Sequence, residues 1–176
     1  MVETSSLPTR EEAVGIEPFA EKLACRGLEL RRASAHTLQL NIGFRCNQSC
    51  RHCHLAAGPD RPEMMSRKTM AQVVGFARRF PFQCLDVTGG APELNPHLGY
   101  LLEQLAPLTP RLMLRSNLTA LAEVNTKELL DLCSRLGVVI ISSLPATNAG
   151  QTNAQRGEGV LEQSIQMLEQ LNARGY

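Results

Sequence analysis

An α/β fold built on a parallel sheet is what this sequence predicts, and three observations predict it. Apolar runs of strand length alternate with helical apolar patterns about four times between Thr37 and Ala173. That order gives a parallel sheet with right-handed crossovers and helices outside it. The strand runs, such as Cys84-Leu-Asp-Val-Thr88 and Val138-Val-Ile-Ile141, are short and apolar, as expected when both faces of a sheet are covered. Every unusual polar or glycine-rich stretch falls at the carboxyl end of a strand, the rim on which such folds place their chemistry.

Residues 1–9 are expected to be disordered. An amphipathic helix over about Glu11–Arg26, interrupted at Pro18, should stop at Gly27. Residues 1–35 are therefore read as a leader with a short helix, ending in the basic linker Arg31-Arg32-Ala-Ser-Ala, and residues 36–176 as the core. The first strand covers about Thr37–Gly43. A cysteine-bearing loop follows and runs through Gly58-Pro59-Asp60-Arg61-Pro62, whose prolines and glycine exclude regular structure. Ser66 caps a helix over about Arg67–Phe80, with Met70, Val73, Val74 and Ala77 on one face. The strand Cys84–Thr88 runs into Gly89-Gly90-Ala-Pro-Glu-Leu94. Asn95 is read as the cap of a helix with Pro96 at its first position and Leu98, Leu101, Leu102 and Leu105 along one side. A third strand, Arg111–Arg115, ends at Ser116-Asn117. The helix over about Thr126–Leu136 stops at Gly137, and the fourth strand, Val138–Ile141, ends at Ser142-Ser143. A polar loop over Gly150–Gly159 and a last helix over about Val160–Ala173 complete the chain.

A length of 176 residues is enough for one domain with a hydrophobic core. The formal charge of +1 gives no electrostatic case for nucleic acid or an anionic membrane. Aromatic residues at 4%, with no Trp, argue against a base-stacking platform. No apolar stretch approaches bilayer length, and the polar, acidic start lacks both an apolar signal region and a twin-Arg signal. A cytoplasmic location is therefore expected, where six cysteines read as metal-binding or catalytic thiols rather than a disulfide framework. Cys25, Cys84 and Cys133 lie far from the others and are expected to be small buried apolar residues.

The chemistry gathers at Cys46-Asn-Gln-Ser-Cys50-Arg-His-Cys53-His54. Thiolates this close in one loop can converge on a soft centre, either zinc or iron–sulfur. A four-iron–four-sulfur cube normally takes four cysteines, so three leave one iron open to a ligand that is not protein. A structural zinc module, with His52 or His54 as fourth ligand, satisfies the same donors, but such sites usually pair two separated ligand hairpins. Cys50-Arg-His-Cys53-His54 also matches the C-x-x-C-H of c-type haem attachment, a chemistry of exported chains that leaves Cys46 without a role.

The spacing Cys46-x3-Cys50-x2-Cys53 after a first strand resembles the signature of radical S-adenosylmethionine enzymes. The resemblance implies a partial (β/α) TIM-type barrel and a [4Fe-4S] cluster on Cys46, Cys50 and Cys53. It also implies that the open iron is chelated by the amino and carboxylate groups of S-adenosyl-L-methionine. One electron from the reduced cluster would then cleave the sulfonium C–S bond to methionine and a 5′-deoxyadenosyl radical. A flavodoxin- or ferredoxin-type electron donor is implied as partner. His52 stands where the family commonly has an aromatic residue. The roles open to His52 and His54 are adenine-side packing, proton donation or none.

Gly89-Gly90-Ala91-Pro92 resembles the family's Gly-Gly-Glu-Pro turn, so Gly89, Gly90 and Pro92 are implied to shape the cofactor site. Ala91 departs from the usual Glu, for which Glu93 is a candidate substitute. Ser116, Asn117 and Ser142 match positions that contact the ribose hydroxyls and the methionine carboxylate, though both Ser116-Asn117 and Ser142-Ser143 serve equally as caps or strand-end turns. Arg115 either faces the cavity as an anion partner or points outward as a solvated charge.

The stretches Asn41-Ile-Gly-Phe-Arg-Cys-Asn-Gln-Ser-Cys-Arg-His-Cys-His54, Gly58-Pro-Asp-Arg61, Glu63-Met-Met65 and Thr88-Gly-Gly-Ala-Pro-Glu-Leu-Asn-Pro-His97 are similar to the arsenosugar-biosynthesis branch. Thinner similarity continues through Arg115-Ser-Asn-Leu118, Ser143-Leu-Pro145 and Asn153-Ala-Gln-Arg-Gly157. This implies a methylated arsenical as the acceptor of the 5′-deoxyadenosyl group. A complete barrel takes roughly 250 residues, so about four βα units read as a fragment with an unpaired strand edge. A truncated, non-catalytic cluster-binding remnant is the alternative.

Overall fold

The computed structural model describes residues 17–31, 33–123 and 126–176. The expected disorder of residues 1–9 and the first part of the leader helix lie outside them. The chain divides into two compact units between Ser34 and Ala35. In the first unit, helix α1 (Phe19–Ala24) has Pro18 as its N-cap and buries no residue. It stops where expected. Gly27, at φ 63°, lets Gly27 N donate to Ala24 O at 3.0 Å and Leu28 N donate to Leu23 O at 2.9 Å, a Schellman close. Cys25, expected to be buried, is exposed, because a single short helix has no core to bury it in.

The second unit runs β1 (Thr37–Asn41), α2 (Arg67–Arg79), β2 (Cys84–Thr88), α3 (Leu98–Leu105), β3 (Leu112–Ser116), α4 (Thr119–Glu123), α5 (Thr126–Leu136), β4 (Val139–Ser142), α6 (Ala149–Arg156) and α7 (Val160–Asn172). The four strands are parallel and lie in sequence order, with Leu85 beside Leu112 and Leu114 beside Ile140. This is the expected α/β architecture, and a sheet ordered this way is consistent with part of a barrel. Among the described residues, no helix is long and apolar enough to cross a membrane.

Leu40, Leu85, Val87, Leu112 and Leu114 pack with Met70, Val74 and Ala77 of α2 and the leucines of α3. Leu85, Leu101, Leu102, Leu105 and Leu114 are fully buried, and each such side chain contributes about 1.5–3 kcal/mol. The expectation that both sheet faces are covered fails. Alternation puts Gln39, Asn41, Asp86, Thr88, Arg115, Val139 and Ile141 on the other face, and all of these except Asp86 and Thr88 are exposed.

Three further expectations are corrected. β1 ends at Asn41, two residues early, because Asn41 Oδ1 accepts from Gly43 N at 3.0 Å and turns the chain. Asn95 does not cap α3. Its amide donates to Ile42 O at 3.2 Å and Met65 O at 3.1 Å, and its Oδ1 accepts from His97 N. The polar stretch after β4 is not loop throughout: α6 forms there, capped by Asn148.

Candidate active site

The cysteine loop is closed by its own backbone. Phe44 N donates to Glu63 O at 2.9 Å, Met65 N to Ile42 O at 2.9 Å and Cys46 N to Gly58 O at 3.0 Å. Residues 42–46 and 58–65 thus form a clasp, with the three thiols around the loop between. This clasp meets the turn after β2, where Gly90 N donates to Gly43 O at 2.9 Å and Ala91 N to Arg45 O at 2.8 Å. A Cβ on Gly90 would stand 2.6 Å from Arg45 O, 2.8 Å from Phe44 O and 2.9 Å from the Ala57 methyl. Glycine is required here because two backbones cross at contact distance.

Side-chain amides hold the loop from the other side. Asn47 Nδ2 donates to Glu123 Oε1 at 2.7 Å and Thr119 Oγ1 at 3.1 Å, and Gln48 Nε2 donates to Thr119 Oγ1 at 2.9 Å. Asn117 accepts from Ala120 N at 2.8 Å, capping α4, and its Nδ2 donates to Asn47 Oδ1 at 2.8 Å and Cys46 Sγ at 3.5 Å. Leu118, between them, sits at φ 68°, a left-handed conformation that costs a leucine about 1–2 kcal/mol. Ser116 Oγ accepts its N–H at 2.9 Å. Arg51 N donates to Gln155 O at 3.0 Å and fastens the loop to α6.

These elements enclose a cavity of about 310 Å³ lined by Cys46, Cys50, Cys53, Gly89, Gly90, Ser116 and Asn117. Seven residues singled out in the sequence therefore share one space, joined by His52 and His54. Pro92 stands apart from it, buried in a single 3-10 turn, Pro92–Leu94. Ser142 lines a separate cleft with Leu168, Leu171 and Tyr176. Its neighbour Ser143 is the one on the cavity wall, since successive side chains of an extended chain point opposite ways.

Burial pushes the Cys46 thiol up. The Gln48 backbone and the Asn117 amide offset part of this, while Cys53 and Glu93 add to it. Burial raises Cys50 as well, with the Arg156 charge working against the rise and Cys46 and Cys53 adding to it. Thiols that oppose one another's ionisation are brought to the thiolate by a cationic centre. Among the described residues, no three His, Cys, Asp or Glu side chains gather tightly enough around a point to hold a single ion. In an iron–sulfur cube each thiolate takes its own iron, and three thiols on one loop leave the fourth iron without a protein ligand. The donor set fits the cube better.

Arg156 was not among the residues expected here. It is 9% exposed, its Nε and Nη1 have no hydrogen-bond partner, and it lines the cavity. Buried polar groups are normally paired, so an unpartnered guanidinium facing a cavity is suited to an anion. The signal for its helix was present: Gln151 N donates to Asn148 Oδ1 at 2.9 Å and Asn148 Nδ2 to Gln151 Oε1 at 2.8 Å, a variant of the capping box. Glu93 does not stand in for the missing carboxylate at position 91. Burial raises its pKa and the nearby Ser116 hydroxyl only offsets this, without reaching hydrogen-bond geometry to either oxygen. Its side chain lines a different cleft, with Leu129 and Leu132. Ala91 packs with Cys46, Ala57 and Ala120 in a small apolar cup. Arg115 lines the cavity while paired to Asp86 at 2.8 Å, so it is neither an unpaired anion partner nor a freely solvated charge.

A parallel β/α sheet with three thiols at its carboxyl rim and an unpartnered arginine from α6 in the same cavity is an α/β fold with the donor set of an iron–sulfur site. The chain belongs to the Radical SAM superfamily, whose family model matches residues 40–176. Enzymes of this superfamily use a [4Fe-4S] cluster and S-adenosylmethionine.

Over 83 residues the chain is 31% identical to YydG, a Bacillus subtilis (strain 168) protein named for peptide biosynthesis, taking in 46% of this chain and 26% of that one. Over 84 residues it is 26% identical to a Pyrococcus horikoshii protein named as a GTP 3′,8-cyclase, with 48% and 27% covered. The chain thus spans about a quarter of the length of the curated relatives it matches. Streptococcus suis SuiB bound to S-adenosylmethionine superposes with a TM-score of 0.68 at 15% identity, over 88% of this chain and 35% of SuiB. SuiB bound to its precursor peptide SuiA gives 0.69 at 15% identity, over 88% and 34%. At that identity the likeness is one of fold.

Proposed function

We propose that Cys46, Cys50 and Cys53 hold a [4Fe-4S] cluster, that S-adenosylmethionine occupies its open iron, and that the protein catalyses reductive cleavage of S-adenosylmethionine. One observation carries this reading: three thiols, a two-glycine turn and an unpartnered buried guanidinium share a single cavity. When bound and reduced, the cluster supplies one electron that splits the sulfonium into methionine and a 5′-deoxyadenosyl radical. The chain's own residues bind and orient. Gly89 and Gly90 let the turn pack against the backbone of residues 43–45 where a Cβ would collide, and that turn offers backbone carbonyls to the cofactor's ammonium. Arg156 offers free N–H donors to the methionine carboxylate, a charge-assisted pairing. Asn117 steadies the Cys46 sulfur through its amide. Ser116 and Ser143 supply hydroxyls for the remaining polar groups.

The electron comes, in this proposal, from a flavodoxin- or ferredoxin-type donor in the cytoplasm. The acceptor of the 5′-deoxyadenosyl group is a methylated arsenical. This finer step is supported by the similarity of residues 41–54 and 88–97 to the arsenosugar branch.

Anaerobic reconstitution is the test, with about four iron and four sulfide per chain expected. Addition of S-adenosylmethionine and dithionite should then release 5′-deoxyadenosine, and Cys50→Ala should abolish it. Cluster-loaded protein that binds S-adenosylmethionine but releases no 5′-deoxyadenosine would make the chain a non-catalytic cluster-binding module. Colourless protein holding one zinc would reject the cluster altogether.

A further inference from the structure

The cofactor assignment leaves one positive charge of the cavity unused. Arg115, near the end of β3, lies on the helix-free face of the sheet, and its side chain is 46% exposed. Asp86, one strand over, is 3% exposed. The Asp86 carboxylate accepts from Arg115 Nε at 3.0 Å to each oxygen, from Arg115 Nη2 at 2.8 Å and from Gln39 Nε2 at 2.8 Å. Burial alone would raise the Asp86 pKa, but the hydrogen bonds from Arg115 and Gln39 and the Arg115 charge outweigh it, and the net direction is down. The pair is ionised at neutral pH.

This geometry uses one edge of the guanidinium and leaves the other free. The Nε–Nη2 edge is committed to Asp86, and among the described residues Nη1 makes no hydrogen bond. The outer edge therefore presents Nη1 and the second Nη2 proton as a ready fork. Fixing a free arginine side chain forfeits up to about 2 kcal/mol of rotamer entropy. Asp86 has already imposed that order. A planar fork of two N–H donors matches two oxygens of one anion. Because Asp86 cancels the net charge, the site selects by direction rather than by long-range attraction.

S-adenosylmethionine carries one carboxylate, and Arg156 is placed to receive it. A second guanidinium in the same 310 Å³ space is suited to a second anion. The surroundings narrow its chemistry. Ile141 pairs with Arg115 in register and Val139 with Met113, so an apolar strip lies beside the fork, with Val139 43% and Ile141 37% exposed.

We propose that the outer edge of Arg115 binds the oxyanion of the second substrate, a small organic acid with an anionic head and an apolar body. The proposal rests on the cofactor reading above for what else the cavity holds. Asp86 is the positioning residue: it touches Arg115, not the substrate.

The test is calorimetric titration of the reconstituted, S-adenosylmethionine-loaded full chain with dimethylarsinate, and with dimethyl sulfone as its uncharged shape analogue. The expected result is about tenfold or greater preference for dimethylarsinate. The preference should disappear in Arg115→Ala. It should fall in Arg115→Lys, which keeps the ion pair but loses the fork. Since Arg115→Ala leaves Asp86 buried and unpaired, the neutral pair Asp86→Asn/Arg115→Gln serves as a second variant and should also lose the preference while keeping the wild-type unfolding temperature. Equal binding of the two probes by the wild type, or an undiminished preference in the neutral pair, overturns the proposal. Iron content and S-adenosylmethionine binding measured on the same samples separate the two readings. Their loss with oxyanion selectivity intact removes the cofactor assignment alone, and their presence without selectivity removes the Arg115 site alone.

Discussion

Gly90→Ala is expected to loosen the cysteine loop, and the size of the effect follows from contacts. The added methyl carbon would arrive 2.6 Å from Arg45 O and 2.8 Å from Phe44 O, whereas ordinary contacts begin near 3.4 Å. The two carbonyls must therefore retreat by about 0.8 and 0.6 Å. Neither is the end of a flexible side chain. Arg45 O is itself the acceptor for Ala91 N at 2.8 Å, and Gly43 O the acceptor for Gly90 N at 2.9 Å. Overpacking costs about 1–3 kcal/mol and each weakened hydrogen bond about 1 kcal/mol, so a loss of about 3 kcal/mol is expected. For a unit of this size that lowers Tm by about 10 °C. Thermal unfolding of the apo chain reads the first effect, and iron retained after reconstitution reads the second. Gly75→Ala is the control: no atom lies within 4 Å of the added carbon in α2, and alanine should stabilise the helix by about 0.5–1 kcal/mol. A Gly90→Ala protein with wild-type Tm and full iron would show that the turn and the loop are not locked together.

Two further outcomes can be measured directly. Arg156→Ala should keep the cluster but bind S-adenosylmethionine about 10- to 100-fold more weakly, since a hydrogen bond to a charged group contributes about 1.5–3 kcal/mol. Arg156→Lys should recover part of that, and unchanged affinity in the alanine variant would remove Arg156 from the site. Glu93→Gln should change the pH dependence of stability. The buried wild-type carboxyl has a raised pKa, so its favourable contribution is complete below the unfolded value of about 4.3 and falls as pH rises through the folded value, by up to about 1.4 kcal/mol per pH unit. Glutamine cannot ionise, so urea denaturation should find the two proteins similar at pH 4 and the variant more stable at pH 8. Parallel curves would contradict the burial argument.

Legibility in the sequence followed the range of the forces involved. β2 is legible to the residue, and so is the Ser66 cap, whose Oγ accepts from Thr69 N at 3.2 Å, because both signals are local. The one-sided sheet was legible too, in the alternation of Leu38 and Leu40 with Gln39 and Asn41, but the apolar look of the strands outweighed it. A residue before proline at a helix start looks like a cap, but the amide of Asn95 is claimed by the distant carbonyls of Ile42 and Met65. The five residues of α4 are too few for periodicity, and only the Asn117 cap announces them. The resemblance implies Ser142, and it is the alternation of side chains along the extended chain that puts Ser143 on the cavity wall and Ser142 in the other cleft. Arg156 stands in the sequence only within the thinly similar stretch Asn153–Gly157, and its meaning comes from being buried without a partner for Nε and Nη1.

The clasp of residues 42–46 on 58–65 separates this loop from metal sites whose ligands come together only when the ion arrives. In small zinc modules, binding is folding, and a chelator unfolds them. Here the loop is closed mainly by bonds from backbone to backbone and from side-chain amides to a hydroxyl, a carboxylate and another amide, while the contacts to the ligand sulfurs, such as Asn117 Nδ2 to Cys46 and Ala57 N to Cys53, are long, at 3.5 and 3.4 Å. Iron loss should therefore leave a shaped and vacant receptacle rather than a loose strand, with amide exchange at Phe44, Cys46 and Met65 still slow after chelation. A protein of that kind can be filled, emptied and refilled by ligand exchange with a cluster carrier, and its working life is decoupled from that of any single cluster it holds.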